Sequence, residues 1–107
     1  MSEEAGAADD LATQVMWRSA QARILAARGR APEAESLAHD GVALAEETDD
    51  LNMRADTFVD LGEVLRVAGD EKGAADAFGR AVELYAAKGN FVDAESARGR
   101  LASLEPI

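Results

Sequence analysis

Apolar residues recur along this chain at spacings of three and four, and no stretch alternates apolar with polar residues. The clearest stripe is Leu51, Ala55, Phe58, Leu61, Gly62 and Leu65, which lines one side of a helix and no side of a strand. The same spacing predicts five helices and no sheet. The first runs over 10–28, with Asp10 as N-cap and Gly29 as its stop; the second starts at Pro32 and reaches about Thr48. The third follows the Asp49-Asp50 pair and ends before Gly69. The fourth lies between Asp70 and Gly89, and the fifth runs from Asn90 past Leu104 to a stop at Pro106. Residues 1–9 are small and acidic and read as a flexible tail ahead of a helical domain over 10–105.

The pattern repeats. At an offset of 40 residues, 25–51 realigns on 65–91, pairing Leu25 with Leu65, Gly29 with Gly69, Ala34 with Ala74, Val42 with Val82 and Leu44 with Leu84. The matches fall on apolar, small and glycine positions, which is what a shared packing plan leaves behind. A period of this length predicts stacked helical hairpins, and the short links between helices make neighbours antiparallel.

The segment 55–88 resembles a tetratricopeptide repeat. Leu61 and Gly62 stand at that family's Leu-Gly pair, Leu65 where Tyr is usual, Ala74 and Ala81 at its small positions and Phe78 at its aromatic one. Ala86 departs from the family's usual Pro. In the first repeat Ala22, Leu25, Gly29, Ala34 and Leu44 fit, whereas Arg18, Ala38 and Gly41 do not. The runs DDLATQVMWR, RGRAPEAESLA, LGEVLRVAGD and LYAAKGN, within 9–104, resemble the C-terminal tetratricopeptide tail of large actinobacterial proteins. Those combine a cyclase or DNA-binding domain with an ATPase. The resemblance implies an α-α superhelix of two repeats and a capping helix, whose inner groove binds peptides.

Charge narrows the class of partner. Acids outnumber Lys and Arg by 21 to 11, a net of −10, which argues against nucleic acid or an anionic membrane surface as a general partner. The distribution is uneven. Between Leu11 and Pro32 stand four arginines and no acid; between Glu33 and Glu63 stand ten acids and one base, Arg54. The arginines read as partners of the neighbouring acidic segment. Cysteine is absent, so no disulfide or thiolate site is available, and a cytoplasmic setting is expected. The nine arginines to two lysines, with abundant Ala and Gly, suit a GC-rich bacterial source.

No residue pattern points to catalysis. His39 is the only histidine and has no Ser, Cys or second His placed to form a relay, and no phosphate-binding glycine loop occurs. The acids Glu46, Glu47, Asp49 and Asp50 lack the spacing of a calcium loop. No enzyme activity, cofactor or metal is therefore expected. The expected function is protein–protein interaction or scaffolding, with a regulatory tail or a purely self-associating module as alternatives. Asp56, Asp60, Glu63 and Arg66 recur along the third helix and, under the resemblance, face a groove with Met16, Ser19 and Arg23 of the first. That row suits a basic peptide, or reads as a hydrated face with Arg23 paired to Glu63. Trp17 either packs against the second helix or covers a surface met by another repeat or chain. Val15, Met16, Trp17, Ala20 and Ile24 cannot all face the second helix, so Val15, Trp17, Ala20 and Ile24 are expected to join two copies as a homodimer.

Overall fold

The computed structural model describes residues 7–104. They form five helices: α1 (Ala7–Ala27), α2 (Ala31–Ala45), α3 (Leu51–Ala68), α4 (Glu71–Lys88) and α5 (Phe91–Ser103). No strand occurs among the described residues. The domain is all-α and its five packed helices are consistent with a helical-repeat architecture. α1 begins at Ala7, so residues 7–9 are helical and not part of a tail. The rest of the expected tail, Glu105 and the stop at Pro106 lie outside the described residues.

Local chemistry sets the boundaries. Asp50, Asp70 and Asn90 each accept a hydrogen bond from the backbone N–H three residues on, at 3.1, 2.9 and 3.2 Å. Each therefore satisfies one of the donors that a helix start leaves free. At the other ends, Gly69 and Gly89 adopt φ of 90° and 87°, which lets the chain reverse while Asp70 and Asn90 donate back to the carbonyls of Leu65 and Tyr85. α2 departs from expectation at both ends. It starts at Ala31, and its N-cap Arg30 instead pairs with Glu33. It stops at Ala45, short of Thr48. Glu46 and Glu47 place negative charge at the negative end of the helix dipole, and the Thr48 hydroxyl accepts from Asp50 N–H to start the next turn.

The helices pack in chain order, α1 on α2, α2 on α3, α3 on α4 and α4 on α5, and α1 also reaches α3. The smallest extent of the molecule is 16 Å against a longest of 56 Å, room for two layers of helices at most. Contacts within the second hairpin fix its direction: Gly62 lies against Phe78 and Asp56 against Tyr85, so residue number rises on α3 as it falls on α4. α1 and α3 run side by side in parallel, because Arg23 meets Asp60 while Ala26 and Ala27 lie beside Val64 and Val67.

The core is built from small residues around one large one. Ala22, Ala26, Ala34, Ala38, Leu61, Val64, Leu65, Ala74, Ala77 and Phe78 form one buried cluster. Ala55, Ala81, Tyr85, Ala94 and Ala97 form a second beneath α5, and Phe58 and Val59 pack against both. A Cβ on Gly62 would lie 2.5 to 2.9 Å from three atoms of the Phe78 ring, so the ring occupies the space that glycine leaves. The corresponding pair in the first hairpin is Ala22 and Ala38, both buried. Gly41, which departs from the repeat pattern, is buried with its Cβ direction 3.3 Å from Ser19 Oγ. The first hairpin thus closes on small side chains where the second closes on glycine and an aromatic ring.

Gly62→Ala should lower stability by about 1–3 kcal/mol through overpacking against Phe78. Gly79 also sits inside a helix but has nothing within 4 Å of its Cβ direction. Gly79→Ala should therefore raise stability, by about 0.5–1 kcal/mol. Urea midpoints of the two variants should move in opposite directions; equal shifts would show that helix propensity, and not the ring, governs both sites.

Candidate interaction groove

α1 and α3 diverge enough to leave an open groove of about 520 Å³ between them. The α1 wall is Val15, Met16, Ser19, Ala20 and Arg23. The α3 wall is Asn52, Met53, Asp56, Thr57 and Asp60, with the N-cap Asp50 at the mouth. The spacing of three and four on both helices places these residues along facing stripes. Of the seven residues read from sequence as groove-facing, the structure brings five together here: Met16, Ser19, Arg23, Asp56 and Asp60. Glu63 and Arg66 lie one turn further along α3, around a smaller space of about 170 Å³ that Arg23 also borders. Asn52 and Met53 were missed, although they precede Asp56 by one helical turn on its own stripe. Ser19 is buried beside Gly41, and its hydroxyl also faces Asp60 in the groove.

The acidic row is not a uniform hydrated face. Asp56 is exposed, Asp60 half-buried and Glu63 buried. Arg23 pairs with Asp60 at 3.1 Å and not with Glu63, because the parallel run of α1 and α3 sets those two side by side. Glu63 instead bonds to Arg66 at 2.6 Å and to Arg100, which reaches over from α5. No pattern local to α3 could have announced Arg100. Asp56 accepts a hydrogen bond from Tyr85 Oη of α4, a second tie that the spacing of α3 alone does not reveal.

These environments push the carboxyls in different directions. Asp56 is exposed as a residue, but partial shielding of its carboxyl raises it above the ordinary aspartate range; the Tyr85 bond opposes this, and the nearby charges of Asp93 and Asp50 add to it. Burial likewise raises Asp60, with the Arg23 guanidinium pulling back. Burial also acts to raise Glu63, but Arg66 and Arg100 together outweigh it and hold its carboxyl below the usual glutamate range. Tyr85 is raised, first by burial and then by its bond to Asp56. The groove therefore carries two carboxyls that would be stabilised by an added positive charge, while Glu63 is already satisfied.

The residues expected to join two copies divide. Trp17, Ala20 and Ile24 are exposed on α1, and Met16 with them, but Val15 points inward and is buried. Trp17 is 56% exposed and lies outside the buried core; Arg18 stacks on its ring at 5.4 Å while also bonding Gln14. Among the described residues no group of three or more His, Cys, Asp or Glu is placed to hold a metal ion. No described helix is long and apolar enough to cross a membrane. No family model, curated protein or solved structure matches this chain.

Glu63→Gln leaves Arg66 and Arg100 without a counter-charge and should destabilise the protein by about 1–3 kcal/mol at neutral pH. A depressed folded-state pKa means the contribution is complete above the unfolded value, 4.5, and is lost as pH falls through the lower folded value. The stability gap between wild type and variant should therefore close below pH 4.5. Asp56 and Asp60, whose pKa values are raised, work in the opposite sense. Denaturant titrations of both proteins at pH 7 and pH 3 check this; a gap that persists at pH 3 would assign it to lost packing.

Proposed function

We propose that this chain is a non-catalytic interaction module of tetratricopeptide type, whose α1–α3 groove takes a partner segment carrying a basic side chain between apolar ones. The observation that carries this reading is the composition of the groove. Met16, Met53 and Ala20 offer apolar surface, and Asp50, Asp56 and Asp60 surround it with carboxylates against a single cation, Arg23. Methionine adapts to differently shaped apolar side chains. Asp56 and Asp60 are held above their ordinary pKa mainly by burial. A Lys or Arg arriving there relieves that cost, which an apolar ligand cannot do. The tetratricopeptide assignment is supported by the second hairpin, where Leu61, Ala74 and Phe78 share one cluster with the Phe78 ring against Gly62, and Ala81 is buried in the adjoining one.

Screening an array of short peptides against the immobilised chain tests this. Peptides with Lys or Arg flanked by Leu, Met or Ala should be retained and their acidic counterparts not. For a retained peptide, Asp56→Asn with Asp60→Asn should weaken binding at least ten-fold, and added salt should weaken it further. Equal retention of basic and acidic peptides, or an unchanged affinity in the double variant, would move the binding function away from this groove.

A further inference from the structure

α1, α3 and α5 carry corresponding positions 40 residues apart, and the structure shows what one shared face does in each. On α3 that face is Thr57, Leu61 and Val64, at 2%, 5% and 1% exposure. Leu61 and Val64 pack into the cluster that holds Ala22, Ala26, Ala34 and Ala38 of the preceding hairpin. On α5 the matching Ala97 is buried, and Leu101 and Leu104 pack against the core. On α1 the matching residues are Trp17, Gln21 and Ile24, with Trp17 56% and Ile24 46% exposed. The face that closes α3 and α5 onto their predecessors is open on α1, and it carries the chain's only tryptophan.

We propose that a second copy of this chain covers this face, with the two α1 helices antiparallel about a two-fold axis near Ala20 and Gln21, so that Trp17 of each meets Ile24 of the partner subunit. The downstream side of the first hairpin is taken by α3 and that of the second by α5, whereas the corresponding face of α1 has no helix on it among the described residues. A face that meets its own copy closes by two-fold symmetry. Charge fixes the direction. In sequence, Asp9 and Asp10 near its start are the only acids of α1, which leads into Arg28; Arg30 is already paired with Glu33. Antiparallel pairing sets each acidic start beside the partner's basic end, whereas parallel pairing would set like against like. Ala20 at the centre lets the helices approach. Trp17 and Ile24 do not line the groove, whereas Ala20 borders both surfaces.

The chain has no cysteine, which gives a clean test. On oxidation Gln21→Cys should yield covalent dimers, because residue 21 lies on the Trp17–Ile24 face beside the two-fold axis; Val92→Cys, on the exposed start of α5, should not. Sedimentation over a dilution series should show a dimer dissociating, with Trp17 emission shifting to the red as it does. Ile24→Glu should lose the dimer and keep its helical circular dichroism. Monomer at every concentration would overturn the proposal. So would a dimer that survives Ile24→Glu, or one that cross-links through residue 92 and not residue 21.

Discussion

The contact of Phe78 with Gly62 is the constraint on which the rest of the structure depends. The ring fills the volume a Cβ would take, so α3 and α4 approach as closely as backbone and aromatic ring allow. Phe78 is fully buried there and anchors the larger cluster, while Phe58 and Val59 on the next turn of α3 link it to the cluster under α5. With the distance between α3 and α4 fixed, Tyr85 comes to lie opposite Asp56, and the polar wall of the groove acquires its second-layer support. A core with so many alanines buries little area per residue. It depends on close fit at the few places where a large side chain sits.

Much of the architecture was legible because its signals are local. Asp50, Asp70 and Asn90 cap the helices they precede, and Gly29, Gly69 and Gly89 end those before them, as their types predict. The apolar stripe of α3 is the one that packs. What could not be read was set by partners distant in sequence. Glu63 looks like its neighbours Asp56 and Asp60 until Arg100 arrives from α5 and shuts it away. Val15 and Trp17 look alike as apolar residues of one helix, yet two positions of helical rotation send one into the core and the other to solvent. Periodicity shows that α1 has more than one apolar face; only packing shows which face is covered.

The groove shows how one row of acids becomes three different groups. Asp56 shares a hydrogen bond with a phenol, Asp60 with one guanidinium, and Glu63 with two. One guanidinium does not overcome the burial of Asp60, whereas two overcome that of Glu63. Electrostatic demand is thus concentrated at the Asp56–Asp60 end, beside the two methionines. Glu63 instead joins α3 to α5 and holds the stack together.

α1 connects the groove to the stability of the whole. One wall of the groove belongs to α1, and α1 is fixed to the body by Val15, Ser19, Ala22, Leu25 and Ala26 and by the partly exposed Arg23–Asp60 pair. An exposed ion pair contributes little, on the order of 0–1 kcal/mol. Burial of alanines adds less per residue than the leucines and the phenylalanine that fix α3. Any occupant of its outer face that binds only the docked helix stabilises that docked position by mass action. The same docked position is what shapes the groove wall. By linkage, a ligand that needs the wall in place then favours the covered face as much as the cover favours the ligand. Neither Trp17 nor Ile24 lines the groove, but the two surfaces of α1 share Ala20 and a helix, and that is enough to couple them.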